Sequence, residues 1–524
     1  MYAFRPARRH LHVRSASRAA VSLGALGALL TTASALRHDA GAQLVQIKTL
    51  PIADGDQWRI FPSANAAMGD VSIALSDSLL DPFVNPAKGS RVTRGGSFFG
   101  SPTFYALSRS AGGGQTLPLG GTVRAGRMFG SLAVALQEID TTATAPVFLP
   151  PVALSAQGAP LQRPASSRQN RYAFASAGTV FPATGLSVAA SVLYSGLHDV
   201  DGTDLLYAGS SGVAQHGSSV DLRVGVTKDW KGDAGPRIAE AIVLHNHFAN
   251  THDVTWADQV WDPNTRVMQT QGRVDHNLDR TDTWGLHLAY MQPLGDSGWR
   301  VGAIATANLA SHPKLPDYQL AQVSLIPWDP GHSGAYDFGL GAAKVLGATT
   351  FGLDAIFEPI ATRTWGEAQS PIQTASGATI PVGGKTTENQ FRFTNGVVRA
   401  GAGQDIAFGA QQTLRLQLGV ELRSINYGLD QTDHEAETSR HQDEHWNEWT
   451  RTWGVSFHVQ NVELRYTGRM LTGTGRPGIA PQTGVVFAAA DVAGRNILAA
   501  PDGALSLTGV AVTTHQFSIA IPLR

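Results

Sequence analysis

Apolar and polar residues alternate along much of this chain with a period of two. In 413–423, Leu414, Leu416, Leu418, Val420 and Leu422 fall on one face, and Arg415, Gln417, Glu421 and Arg423 on the other. Residues 462–470 set Val462, Leu464, Tyr466 and Met470 against Glu463, Arg465, Thr467 and Arg469. In 220–227, Val220, Leu222, Val224 and Val226 oppose Asp221, Arg223 and Thr227, and 186–194 alternates in the same way. Residues 284–290, 299–309 and 351–358 show the pattern more weakly. A period of two belongs to β-strands, and the 3.6-residue period of amphipathic helices is missing from these segments.

Alternation alone also fits a soluble sandwich with one face in a core. Three features favour a membrane-spanning barrel. The segments reach about ten residues, the length of a tilted membrane strand. Their polar faces carry small or charged residues, as a lumen does. Aromatic residues fall near segment ends: Trp230, Trp284, Trp299, Tyr336, Trp365, Trp449 and Trp453. That placement suits interfacial girdles.

Connections alternate in length. Short turns are expected near 128–131, 181–185, 231–236, 293–298, 346–349, 408–411 and 459–461. Long polar stretches lie at 141–169, 198–217, 251–278, 312–332, 364–388, 428–445 and 475–509. Such interleaving is the hairpin rhythm of outer-membrane barrels. Seven hairpins give 14 strands, and segments in 91–108 and 510–523 raise the count to 16. The expected fold is an all-β, transmembrane antiparallel barrel of 14–16 strands. Its last segment alternates His515, Phe517, Ile519, Ile521 and Leu523, like a C-terminal insertion signal, but ends in Arg524 after Pro522.

The N-terminus changes the charge picture. Arg5, Arg8, Arg9, Arg14 and Arg18 precede an apolar run from Ala19 to Leu36 and the small residues Ala40-Gly41-Ala42. That order reads as a secretory signal peptide over 1–42, with Ala33-Ser34-Ala35 as a second cleavage site. The 524 residues hold 40 basic and 41 acidic side chains. Residues 1–42 hold six Arg and one Asp, which leaves 34 bases against 40 acids, a net charge near −6. A nucleic-acid partner is not expected of such a chain. With no cysteine, disulfide scaffolds, thiol enzymes and cysteine-ligated metals are excluded. A 43% hydrophobic content argues against disorder. Gly is 57 residues, a high share that crowded lumen and turn positions would use.

Residues 61–89 do not alternate. They read FPSANAAMGDVSIALSDSLLDPFVNPAKG, with Ala66-Ala67-Met68-Gly69, then Ala74-Leu75-Ser76-Asp77, then Asn85-Pro86-Ala87. This order resembles the N-terminal region of the FadL/TodX family of hydrophobic-compound transporters. It is also similar to the related PorV/PorQ barrels of type IX secretion. The resemblance implies a lead-in and plug over 43–90, ahead of a barrel over 91–524. It makes Met68, Gly69, Phe83, Asn85, Pro86 and Ala87 plug or ligand-path residues. Pro82 and Pro86 break regular structure, and Asn85 before Pro86 favours an extended or turn conformation. A short helix is expected at 65–76, burying Ala66, Ala67, Val71 and Ile73 against the barrel wall.

Other motifs point to no chemistry. Gly473-Thr474-Gly475-Arg476-Pro477-Gly478 fits G-x-G-x-x-G but opens no helix, so a loop is expected. His434, Glu435, Glu437, His441, Asp443, Glu444 and His445 match no metal-site spacing and read as a solvated loop. His252, Asp253, Asp258, Asp262, Asp275 and Asp279 read as an acidic loop able to meet cations that bridge lipopolysaccharide, with Trp256 and Trp261 beside them. No nucleophile elbow occurs, and neither an enzyme nor a metal or cofactor is expected. The inward charges Arg223, Arg415, Glu421, Arg423, Glu463, Arg465 and Arg469 are expected to form a paired lumen network rather than a single-sign filter.

These readings lead to passive outer-membrane uptake of hydrophobic small molecules, fatty-acid-like or aromatic, through a plugged lumen. The alternatives are a PorV-like anchor or secretion partner, and a general porin. Expected partners are outer-membrane lipid and lipopolysaccharide, the barrel assembly machinery and an apolar ligand.

Overall fold

The computed structural model describes residues 55–92, 95–108, 112–141, 166–201, 211–230, 235–262, 264–312, 319–320, 323–324, 331–368, 370–409, 412–477 and 507–523. The signal-peptide reading of 1–42 lies outside them.

Sixteen antiparallel strands close into one barrel. In chain order they are β1 (Gly95–Gly100 and Thr103–Leu107, interrupted at Pro102), β2 (Gly113–Ala125), β3 (Met128–Thr141) and β4 (Ser166–Phe181). Next come β5 (Leu186–Leu197), β6 (Gly212–Trp230), β7 (Arg237–Asp262) and β8 (Val267–Pro293). Then follow β9 (Trp299–His312), β10 (Gly331–Leu346), β11 (Thr349–Glu367) and β12 (Lys385–Gly409). The last are β13 (Gln412–Asp433), β14 (Thr438–Val459), β15 (Val462–Pro477) and β16 (Leu507–Leu523). Each strand pairs with the next, and β16 returns to β1 with Gly96 opposite Leu523 and Thr103 opposite Gln516. Closure leaves no sheet edge with unpaired backbone groups, which a strand needs to enter lipid.

The alternation decides the two faces. On the outside, Leu132, Val134 and Leu136 of β3, Leu286 and Leu288 of β8, Leu416 and Leu418 of β13 and Phe517, Ile519 and Ile521 of β16 are all exposed. A continuous apolar surface of that kind is unfavourable in water and belongs against lipid. No described helix is long and apolar enough to cross a membrane; the strands make the crossing.

Trp230 and Trp299 stand at the short-turn end, with Lys228 and Lys344 over their rings at 5.7 and 5.0 Å. Tyr336, Trp449 and Trp284 stand further up, and Trp284 is opposite Leu309, ten residues along β9 from Trp299. Ten residues span about 33 Å along a strand, or about 25 Å along the membrane normal at a tilt of about 40°. Trp365 and Trp453 belong to neither ring. Trp365 lies beyond the upper one beside Lys385, and Trp453 covers Gly468 within the apolar band.

Two expected loops are corrected. Residues 251–262, 267–278, 428–433 and 438–445 are strands that continue past the upper aromatic ring, with turns at 264–266 and 434–437. Residues 438–445 are polar at every position, so the two-colour pattern that marks a membrane strand is lost there. Residues 473–477 of the glycine-rich motif belong to β15, and Gly478 lies outside the described residues.

Candidate functional site

Residues 55–92 run along the inner face of the barrel. Asp77 organises the first part of this segment. Its carboxylate accepts hydrogen bonds from Ser63 Oγ (2.6 Å) and from the backbone N–H of Ala64 (2.9 Å), Asn65 (3.1 Å), Leu79 and Leu80 (both 3.0 Å). The expected helix over 65–76 is reduced to one 3-10 turn, Ala66–Met68. Gly69 and Asp70 then both take left-handed backbone conformations, which end the turn and redirect the chain. Asp70 is held by Arg59 Nη2 at 2.8 Å and by Arg469 at 3.5 Å. A helical turn over Asp81–Val84 follows, with Pro82 in its first turn. The Asn85 side-chain oxygen accepts from Ala87 N–H (3.1 Å), and its amide donates to Glu240 (3.3 Å).

Glycines on the barrel wall admit the segment. Gly302, Gly341, Gly352, Gly401, Gly419 and Gly454 sit on β9 to β14 and face inward. A Cβ at Gly401 would lie 2.1 Å from the Met68 carbonyl oxygen, and one at Gly419 would lie 2.1 Å from Gly69 N. At Gly302, Gly352 and Gly454 the atoms met are Ile73 O, Val71 Cγ1 and Ala67 Cβ, at 2.3–2.5 Å. The wall therefore carries a track of missing side chains that residues 67–73 fill. Val71 and Ala74 are fully buried there with Met68 and Ala343.

The lumen wall has two characters. On β1, β3 to β5 and β7 it carries an apolar cluster among polar neighbours: Phe99, Tyr172, Phe174, Leu193, Leu244 and Phe248 join Trp58, Ile60, Phe61, Leu80, Phe83 and Val84 of the segment. Phe61 stacks on Phe83 with centroids 4.4 Å apart and planes 12° apart. Phe83 meets Phe99 and Phe174 edge-on at 5.3 and 5.2 Å. Such aromatic pairs each add about 0.5–1.5 kcal/mol beyond the area they bury.

From β10 to β15 the wall is charged. Arg399 pairs with Glu421 at 2.7 Å and Arg423 with Glu358 at 3.3 Å. Arg465 contacts Glu463 and donates to the Ala64 carbonyl (2.9 Å) and Gln417 (3.2 Å). Asp354 accepts from Ser72 and Ile73 N–H at 2.8 and 3.3 Å, and Thr452 accepts from Gly69 N–H at 2.9 Å. On β6, Arg223 grips Asp221 with two nitrogens (2.8 and 2.9 Å) and reaches the Val84 carbonyl at 3.1 Å. Arg415 pairs with Asp405 at the short-turn rim, half exposed and away from the segment.

Of the residues singled out in the sequence, the structure brings Arg223 to Val84, Arg465 to Ala64 and Arg469 to Asp70. It places Met68 and Gly69 on the glycine track, Phe83 in the aromatic cluster, and Asn85, Pro86 and Ala87 against β6 and its neighbours. Sequence reading named Asp77 only as part of the motif, and it missed Phe61, Asp354, Glu358 and the glycine track. A signal existed for Asp354 and Glu358, which share the polar parity of the alternating stretch 351–358.

Lys88 closes the segment against β7. It lies 3.1 Å from Asp81 and 3.0 Å from Glu240, and Arg91 reaches Asp229 at 3.0 Å. Burial pushes the Asp81 carboxyl up to about 6, against the opposing pull of Lys88. Burial works against the Lys88 ammonium, but Asp81 and Glu240 hold its pKa above the usual lysine value.

Among the described residues no group of three or more His, Asp or Glu side chains has the geometry to hold a metal ion. His441 instead pairs with Asp430 (2.5 Å) and Asp443 (2.7 Å), and His276 with Asp253 (2.5 Å). The side chains of Asp258, Asp275, Trp256 and Trp261 lie outside the described set.

No protein-family model and no curated protein matches the chain. Among solved structures it is similar to the toluene transporter TodX of Pseudomonas putida, at 10% identity over 87% of this chain and 96% of that one, TM-score 0.38. The toluene transporter TbuX of Ralstonia pickettii gives 9% identity over 88% and 97%, TM-score 0.35. The ferric-catecholate import receptor Fiu of E. coli gives 8% identity over 81% and 82%, TM-score 0.33. At this level neither family nor cargo passes to the chain, and its own residues carry what is said of its function.

Proposed function

We propose that this protein is an outer-membrane barrel for passive uptake of small apolar molecules, with residues 55–92 as a plug in the path. The observation that carries the reading is the apolar cluster on the inner wall, closed by Phe61 and Phe83 of the segment. A general porin keeps a polar, water-filled lumen. Here the cluster of Phe99, Phe174, Leu193, Leu244 and Phe248 offers an apolar guest the same surface that the plug aromatics occupy. A guest that displaces Phe61 and Phe83 would replace one apolar contact with another, so the exchange costs little. The polar half holds the plug backbone through Thr452, Asp354, Gln417 and Arg465, which keeps it seated in the absence of a guest. Export and residence in a Gram-negative-type outer membrane go with this reading, as does contact with its lipid, lipopolysaccharide and assembly machinery.

The test is uptake of an apolar aromatic probe into liposomes carrying the refolded protein. Replacing Asn85-Pro86 by Ala-Ala should change uptake several-fold while the barrel keeps its heat-modifiable gel mobility. Unchanged uptake in a well-inserted variant would remove the plug role. A stable protein partner with neither conductance nor uptake would favour the anchor alternative instead.

A further inference from the structure

A second apolar cluster stands on the inner wall, toward the long-loop end. Ile360, Phe391, Phe393, Ile425, Tyr427 and Leu429 of β11 to β13 form its body, and Trp446 of β14 packs against it. Phe393 and Tyr427 face each other across β12 and β13, with rings 5.2 Å apart at 59°. They lie eight residues along these strands from Gly401 and Gly419 of the glycine track. Eight residues are about 26 Å of strand. Tyr427 is also five residues beyond Leu422, the register partner of Trp449 in the upper aromatic ring. A molecule entering from the long-loop end therefore reaches this cluster before it reaches the plug.

The cluster holds two polar atoms that its own residues do not satisfy. Tyr427 is 2% exposed, and Trp446 is half-buried. Tyr427 Oη and Trp446 Nε1 are both buried without a hydrogen-bond partner among the described residues. Ile425 pairs with Trp446 and Tyr427 with Glu444, so Tyr427 and Trp446 are diagonal neighbours on one face of adjacent strands. Such neighbours lie about 7–8 Å apart at the backbone, within reach for aromatic side chains. A buried donor left without an acceptor is costly. Apolar walls with a few polar groups among them are also the make-up of a small-molecule site.

The two atoms define the missing group. An indole N–H only donates, and a phenol O–H donates as well. Their complement is one oxygen with two lone pairs and no proton of its own to place, which is a carbonyl oxygen. The charged groups that act on Tyr427 are Arg440 and Glu444, of opposite sign. Neither an anion nor a cation gains from that pair, so the fitting guest is neutral.

The geometry points to a guest subsite at the mouth of the lumen for neutral aromatic carbonyl compounds, in which Tyr427 Oη and Trp446 Nε1 donate to the carbonyl oxygen and Phe391, Phe393 and Ile360 pack the ring. The inference rests on the uptake reading for its purpose and narrows the cargo from apolar molecules in general to oxygenated aromatics. Binding itself stands apart from transport.

The test uses the full-length protein in nanodiscs at pH 7, with partition into empty nanodiscs subtracted. The probes are acetophenone, its near-isosteric hydrocarbon α-methylstyrene, and benzoate. Acetophenone should bind the most tightly of the three. Tyr427→Phe and, as a second variant, Trp446→Phe should each weaken acetophenone about fivefold, the worth of one hydrogen bond, and leave α-methylstyrene unchanged. Phe393→Ala should weaken both. Tyr427→Phe should keep the heat-modifiable gel mobility, because its hydroxyl bonds to nothing in the protein. Acetophenone binding indifferent to both conservative variants overturns the subsite, as does an equal loss for the two neutral probes. Tighter binding of benzoate overturns the neutral class. Variant-sensitive binding without flux into liposomes supports the subsite while removing the uptake reading. Flux of both neutral probes with no variant-sensitive binding overturns the subsite and leaves uptake intact.

Discussion

Asp77 does more for the inner segment than any other single side chain. Its two oxygens satisfy a hydroxyl and four backbone donors that would otherwise be buried without partners. Hydrogen bonds to a charged group are worth about 1.5–3 kcal/mol each. Asp77→Ala should therefore unseat residues 63–80, read as new protease cleavage in the segment with the barrel still resistant. Asp81 makes a second prediction at this scale. Its carboxyl titrates at about 6 when seated, against about 3.9 in an unfolded chain. A raised pKa means that the seated form binds the proton more tightly. Its contribution is complete below about pH 4 and is lost as the pH rises through 6, a change on the order of 2–3 kcal/mol. Hydrogen exchange across residues 81–91, corrected for intrinsic rates, should show stronger protection at pH 5 than at pH 7.5. Asp81→Asn should flatten that difference.

The strand is the scale at which glycine matters. Inward glycines on β9 to β14 are places where the segment backbone occupies the volume of a side chain. Gly401→Val and Gly419→Val would drive a Cβ into Met68 or Gly69, with backbone atoms 2.1 Å away. Each should displace the segment and raise single-channel conductance several-fold in planar bilayers. Gly396 on β12 is the control: it faces outward with nothing within 4 Å, and Gly396→Val should leave conductance unchanged. Equal behaviour of Gly396→Val and Gly401→Val would refute the track. The same scale explains the lengths of β7, β8, β13 and β14. Sequence alternation marks only the part of a strand between lipid and lumen. Residues 438–445 (TSRHQDEH) are polar on both faces, so their strand character comes from pairing with 426–433 rather than from any pattern of their own.

Across the whole molecule the segment bridges an aromatic cluster on β1, β3 to β5 and β7 and a charged wall from β10 to β15. Once Gly401→Val has displaced the segment, the inward acids Asp354, Glu358, Glu421, Glu448 and Glu463 outnumber Arg399, Arg423, Arg465 and Arg469, and the open pore should be weakly cation-selective. Reversal potentials in a potassium chloride gradient measure this, and anion preference would contradict the charge count. The sequence by itself determined that the chain is a membrane barrel, which residues point to lipid, and that 61–89 stands outside the sheet. It could do so because a period of two, and its absence together with Pro62, Pro82 and Pro86, are local features, written in nearby residues. The tertiary structure alone decided that Asp77 gathers its donors, that the glycines of six strands align into one track, and that Arg423 of β13 reaches Glu358 of β11. Those relations join residues tens to hundreds of positions apart. They exist only once barrel closure fixes the register of each strand against the next.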